Sequence, residues 1–505
     1  MKEKETINKK LQKYINARLP ILYIDTFEDD RAEKIIYDLA KKNGREVATW
    51  SLRGFQSKPG VSPVPGDLAK RLNMLLADPQ ETSRKILILK DIASVLDLPD
   101  VVARLKFMAQ QINEENLEDF TIIIIAPLMT IPHDIESYVT IVDLDYLDDS
   151  AIQALIRDLA EEQEIPVPSD DLMGKFSTAL RGLSETDILT ALSLSVADDG
   201  RLDATDLKVI RDQKKQIIKK SGILEIIDVN ETLDDIGGLE NLKTWLKRKA
   251  ELCADINKAN NFGVATPKGV LIVGMPGCGK SLTAKAAQKV FDIPLLRMDM
   301  GRLMGKYVGE SEGNMRRAIK LTEASSPCIL WIDELEKAFA GIGSDSSGSE
   351  VTVRLFGSFL TWMQEKKGLA FVIATANKIE KLPPELLRKG RFDEIFYVEM
   401  PNETERQKIF EIHIGKKHAE DLEKIDLQKI VKKTKGYCGA DIESVVHESL
   451  EEAFLRDSKN HQQPLTTEIL LETIENTHPI SETMKGQIEK MRETYKDLKF
   501  KSASK

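Results

Sequence analysis

The chain has 505 residues and a net charge of −10, from 82 acidic against 72 basic side chains. That length exceeds one hydrophobic core and predicts about three to four compact units. The acidic balance argues against nucleic-acid binding through a basic surface, and no apolar run approaches the roughly 18 residues that a membrane span needs. The opening Met-Lys-Glu-Lys-Glu-Thr is not a signal peptide. Cys253, Cys278, Cys328 and Cys438 are far apart with no CxxC pair, so neither a zinc site nor a disulfide framework is indicated. A cytoplasmic protein is expected.

In chain order, a charged helix over 1–16 precedes an α/β domain over 17–148. Its buried strands begin at Pro20-Ile-Leu-Tyr-Ile-Asp25, Glu46-Val-Ala-Thr-Trp50, Lys85-Ile-Leu-Ile-Leu89 and Thr121-Ile-Ile-Ile-Ile125. Residues 149–201 read as a small helical domain and 202–233 as a polar helical linker. A second α/β domain spans 234–400, helices fill 401–480, and 481–505 is a terminal helix with a basic tail. The order α/β, helical, α/β, helical raises internal repetition. Lys85 to Leu96 matches Cys328 to Phe339 in pattern, and Arg181-Gly-Leu-Ser-Glu-Thr-Asp187 mirrors Lys435-Gly-Tyr-Cys-Gly-Ala-Asp441 without a gap. Two copies of one module are therefore expected.

Chemistry concentrates in the second copy. Gly274-Met275-Pro276-Gly277-Cys278-Gly279-Lys280-Ser281-Leu282 follows the apolar run Val270-Leu-Ile-Val273 and opens a helix, the frame of a phosphate-binding loop. Its glycines let backbone N–H groups curl around a polyphosphate, Lys280 reaches the β- and γ-phosphates, and Ser281 is placed to ligate Mg²⁺. Cys278 reads first as a small loop residue, with a redox role as the lesser reading. Asp333 ends a buried strand where it can hold the Mg²⁺ shell, and Glu334 beside it can polarise an attacking water. Asn377 ends the neighbouring strand and can position that water. Arg388 and Arg391 supply fixed charges for a developing phosphoryl transition state. The first copy has Asp25-Thr-Phe-Glu-Asp-Asp30 in place of the loop, with no glycine or lysine and four carboxylates, and reads as a structural or partner-binding half.

These segments resemble a known family. Gly274 to Ser281, Asp333-Glu334, Ala374-Thr-Ala-Asn377 and Arg388-Lys-Gly-Arg-Phe-Asp393 resemble the Walker A, Walker B, sensor-1 and second-region-of-homology motifs of the AAA+ ATPases. The resemblance implies a P-loop α/β module with a helical lid, preceded by a degenerate AAA-like half, and Mg²⁺-dependent ATP hydrolysis. It also implies that Asp235 and Gly237 lie near adenine, His413 near the ribose, and Gly439 and Ala440 against the nucleotide. Leu303-Met-Gly-Lys306-Tyr307-Val308-Gly-Glu310 resembles a pore loop whose Tyr307 grips a polypeptide, and Gly341 to Ser349 reads as a polar, mobile loop. Leu239 to Leu246, Pro294 to Arg302, Ser326 to Glu334 and Arg18 to Glu28 resemble the AAA family of the hypothetical chloroplast reading frame forty-six. The favoured expectation is a homo-oligomeric, hexameric ring that remodels a protein client. The alternative is a nucleotide-gated switch or assembly scaffold.

Overall fold

The computed structural model describes residues 7–58, 60–127, 131–197, 200–220, 222–303, 310–339, 348–366, 368–456, 464–498 and 500–505. They form two units, Met1–Lys214 and Lys215–Lys505, divided within the helix Asp206–Lys220.

The first unit carries β1 (Ile21–Asp25), β2 (Glu46–Ser51), β3 (Gly54–Gln56), β4 (Lys85–Lys90), β5 (Thr121–Ala126) and β6 (Val139–Asp143). Their order is β3-β2-β4-β5-β1-β6, with every pairing parallel except the β2–β3 hairpin. Strand β5 is apolar at each central position because the sheet is covered on both faces. Ile122 and Ile124 enter a core with the helices Leu68–Ala77 and Pro99–Asn113, while Ile123 and Ile125 face Ile7–Asn16 and Asp29–Lys42. Three helices, Asp149–Glu162, Asp170–Leu180 and Glu185–Val196, follow the sheet.

The second unit carries β7 (Leu224–Ile227), β8 (Gly269–Gly274), β9 (Leu295–Met298), β10 (Cys328–Ile332), β11 (Ala370–Ala376), β12 (Glu394–Val398) and β13 (Lys501–Ser502), ordered β13-β12-β8-β11-β10-β9-β7. The cores of the two sheets share one topology. The order β6-β1-β5-β4-β2 in the first and β12-β8-β11-β10-β9 in the second both read fifth, first, fourth, third, second. Helices Glu403–Gly415, Leu427–Lys433, Gly439–Arg456 and Thr467–Asn476 enclose a separate core around Phe410, Ile430, Val445 and Leu470.

Two edges differ from the sequence reading. Part of the expected polar linker is β7, which pairs antiparallel with β9 and buries Leu224. The basic tail beyond the terminal helix, where no strand was expected, ends as β13 on β12. Buried Ala503 donates its N–H to the Tyr397 carbonyl at 2.8 Å, and its own carbonyl accepts from Asn241 and Leu242 at 3.0 and 3.2 Å. Those are first-turn donors of the helix Glu240–Ala254, which have no partner inside that helix.

Candidate active site

Strand β8 delivers the loop 275–279, and the helix Lys280–Phe291 leaves it. Gly277 and Gly279 have φ of 70° and 83°, left-handed conformations open to glycine at little cost. A β-carbon at Gly277 would also lie 2.6 Å from Cys438 Sγ, so that position must be bare. A cleft of about 620 Å³ opens here, lined by Pro276 to Leu282, the strand ends at Asp333, Glu334 and Asn377, and residues of the helical lid. Gly274 and Met275 lie behind it, where their carbonyls accept from Lys280 Nζ at 2.9 and 2.6 Å. Lys280 is buried, which pulls its ammonium down to about 8 against the opposing influence of Cys278, Glu336, Asp333 and Glu334.

The register of β10 on β11 pairs Ile332 with Ala374, which sets the residues after each side by side. Asp333 Oδ1 accepts from Ser281 Oγ at 2.8 Å and from Thr375 Oγ1 at 2.6 Å. Thr375 Oγ1 in turn accepts the Glu334 N–H at 3.0 Å, fixing the backbone of a residue held at φ 49°. Asn377 Nδ2 donates to Glu334 Oε1 at 3.3 Å, and Lys337 pairs with the other carboxylate oxygen. The Asn377 backbone is held at both ends. Its N–H donates to Glu336 Oε1 at 2.9 Å, and its carbonyl accepts from Tyr495 Oη at 3.4 Å. Tyr495 stacks on Tyr397 with ring centroids 4.1 Å apart, which ties the helix Lys485–Leu498 to β12.

The far wall joins the segment before the first helix to the lid. Asp235 Oδ1 lies 2.6 Å from Lys416 Nζ, and this hydrogen bond, with those from Thr232, lowers its carboxyl to about 2. A β-carbon on Gly237 would approach Ile409 Cγ1 to 2.4 Å. His413 lines the cleft, and burial lowers its pKa below the usual imidazole value. The Ala440 N–H donates to the Gly277 carbonyl at 3.1 Å, and Gly439 lines the same wall.

Arg388 and Arg391 do not line this cleft. Arg388 is exposed and Arg391 hydrogen-bonds to Gln364. Lys306, Tyr307 and Val308 lie outside the described residues, as does most of the 341–349 loop.

Sequence reasoning missed Thr375, Glu336, Lys416 and Tyr495. For Glu336 there was a signal, a second carboxylate two residues after Glu334; its Oε2 is buried without a hydrogen-bond partner among the described residues. Thr375 looked like any β-branched strand residue.

The equivalent place in the first unit is filled by its own side chains. Three residues (26–28) separate β1 from the helix Asp29–Lys42, against five (275–279) in the second unit. Glu28 Oε1 accepts the Glu185 N–H at 2.7 Å, at the start of the helix Glu185–Val196, and Glu28 Oε2 accepts from Arg31 at 2.8 Å. A carboxylate thus occupies a helix N-terminus where an anion is favoured. Lys90, aligned with Asp333, reaches Glu33 at 3.3 Å, and Asp91 repeats the left-handed backbone of Glu334 with φ 53°.

The site in the second unit fits a Mg²⁺-bound triphosphate. Ser281 and Asp333 offer hard oxygen donors 2.8 Å apart, and the buried Lys280 ammonium bonds, among the described residues, to the carbonyls of Gly274 and Met275. ATP should therefore raise the Lys280 pKa above about 8 on binding. Affinity from this charge is complete below pH 8 and falls as pH rises through it, by up to about tenfold per pH unit until the bound-state pKa. Calorimetric titration at pH 7 and pH 9 in buffers of different ionisation enthalpy should show weaker binding and proton uptake at the higher pH.

Comparison with known proteins agrees with this geometry. Residues 270–400 match the ATPase family associated with various cellular activities (AAA), and 424–468 match the AAA+ lid domain. Residues 7–144 and 150–221 match the N-terminal and second domains of SpoVK-like AAA ATPases. The chain is similar to the uncharacterized AAA domain-containing protein ycf46 of Pyropia yezoensis, at 36% identity over 98% of each chain. It is 34% identical to that of Guillardia theta, over 97% of this chain and 95% of the other. The ATP-dependent zinc metalloprotease FtsH of Thermotoga maritima is 35% identical over 43% of this chain and 36% of its own. With a relative of this similarity aligned end to end, the chain belongs to the AAA ATPase family, in its ycf46 branch.

Proposed function

We propose that this AAA+ ATPase hydrolyses Mg²⁺-bound ATP within a homo-oligomeric, hexameric ring in the cytoplasm and uses the turnover to remodel a protein client. The observation that carries the chemistry is the continuous chain Ser281–Asp333–Thr375–Glu334–Asn377 beside the phosphate loop. Ser281 and Asp333 would hold Mg²⁺, which when bound screens the charge on the phosphate oxygens. Lys280 would exchange its loop carbonyls for phosphate oxygens. Glu334 would take the proton of the attacking water, and the Asn377 amide, clamped through its backbone, would orient that water. Asp235, Gly237, His413, Gly439 and Ala440 line the walls that would receive the base and sugar.

Ring assembly is supported by Arg388 and Arg391, which carry the right chemistry yet lie away from their own cleft. Client threading rests on the sequence of the Lys306-Tyr307-Val308 segment. Turnover per subunit, measured against protein concentration with mass in parallel, tests the assembly. It should rise as the ring forms, and a monomer active at its full rate at all concentrations overturns the proposal. The Glu28-filled loop of the first unit favours a second reading, in which that half is a fixed partner surface and ATP turnover resets a switch.

A further inference from the structure

Two of the four cysteines come together beside the nucleotide cleft. Cys278 belongs to the phosphate loop and Cys438 immediately precedes the lid helix Gly439–Arg456. The Cys438 sulfur lies against the phosphate loop, 2.6 Å from where a β-carbon on Gly277 would stand, beside Cys278. The backbones are drawn together as well, through the Ala440 N–H on the Gly277 carbonyl and through the contact that forbids a β-carbon at Gly277. Cys278 is partly exposed on the cleft, where its sulfur lies 3.5 Å from the Pro276 carbonyl and 3.7 Å from Met400 Sδ. Cys438 is buried. The remaining two differ: Cys328 is buried and bonded to the Thr322 carbonyl at 3.3 Å, and burial, first among its causes, pushes the Cys253 thiol up to about 11.

We propose that Cys278 and Cys438 are a disulfide-forming pair that staples the lid to the phosphate loop and stops nucleotide turnover until it is reduced. The neighbouring Cys278 thiol lowers the Cys438 pKa, and a helix N-terminus favours a thiolate there. The Cys278 sulfur, which faces the cleft, attacks as its thiolate the outer oxygen of a hydroperoxide, giving a sulfenic acid and releasing an alcohol, or water from hydrogen peroxide. The buried Cys438 sulfur then attacks the Cys278 sulfur. The S–S bond forms, the S–O bond breaks, and hydroxide leaves as water with the proton that Cys438 gives up. Two thiols are oxidised by two electrons and the hydroperoxide is reduced by two. A dithiol reductant reverses the change.

The bond would fix the lid against the loop whose glycines must stay free to wrap phosphates. This consequence rests on the ATPase reading, but bond formation does not. The test treats the full chain with hydrogen peroxide, alkylates the remaining thiols, and maps cross-linked peptides by mass while turnover is followed. The expected result is a 278–438 cross-link with two thiols lost of four, a fall in turnover of at least tenfold, and recovery with dithiothreitol. Cys438→Ser should lose the cross-link and leave Cys278 as a sulfenic acid that dimedone traps. If that variant folds poorly, Cys278→Ser read by thiol count alone serves in its place. Four intact wild-type thiols, or equal dimedone labelling of Cys278 in wild type and Cys438→Ser, overturns the pair. A cross-link in a chain that never turned over ATP would instead remove the ATPase reading and leave the pair standing.

Discussion

Glu334→Gln lowers ATP turnover by about 10² to 10⁴-fold while nucleotide still binds. The two side chains have the same shape, so the 3.3 Å contact with the Asn377 amide and the Thr375 bond to the residue 334 N–H have no steric reason to change. What disappears is the charge and the capacity to take a proton from water. Lys280, the loop and the Ser281–Asp333 pair are untouched, so affinity stays at the wild-type value or tightens as one carboxylate near the phosphates is neutralised. Lys280→Ala gives the opposite signature. It removes the cation that faces the phosphates, so binding itself is lost. Single-turnover kinetics with a parallel equilibrium titration separates the two variants. Turnover in Glu334→Gln within tenfold of wild type would mean that another group activates the water.

How much of this site could be read beforehand depended on whether its partners were close in sequence. The loop 274–281 was legible because a strand, glycines, a lysine and a helix follow one another in one short stretch. Asp333 and Asn377 were legible because each ends an apolar run. Thr375 was not, since its importance comes from the β10–β11 register, which aligns residues 42 positions apart. Tyr495 was out of reach for a similar reason: it contacts Asn377 through a terminal helix anchored by the two-residue strand β13, too short to leave a periodic signal. The first unit gave up its topology through matched strand patterns but not its local chemistry. Asp25 to Asp30 looked like a run of carboxylates that would repel phosphate. In the folded chain one of them, Glu28, is itself the anion at a helix N-terminus, secured by Arg31. A charge expected to repel a triphosphate is thus also structural, which net charge along a sequence cannot reveal.

Replacing both Arg388 and Arg391 with Ala lowers turnover by about 10³ to 10⁵-fold if these side chains complete a neighbouring site, the range for an arginine supplied in trans. That corresponds to about 4–7 kcal/mol of transition-state stabilisation. Neither side chain lines the cleft of its own subunit, so ATP affinity should barely move. The loop that carries them is held independently of their guanidinium groups, because Lys268 Nζ bonds to the Gly390 and Gln364 carbonyls at 2.7 Å each. Arg388→Ala removes an exposed side chain and serves as the variant least able to disturb folding, whereas Arg391→Ala also gives up the bond to Gln364. Mixing the double variant with Lys280→Ala at constant total protein distinguishes action in trans from action in cis. Each is inactive alone, but in a ring where each subunit completes its neighbour, the intact cleft of a double-variant subunit regains its arginines from an adjacent Lys280→Ala subunit, and turnover reappears, up to about a quarter of wild type at equal amounts. Arginines that act only within their own subunit leave the mixture silent. That silent outcome, or a double variant with undiminished turnover, would show that both arginines serve the folded subunit and not the active site next door.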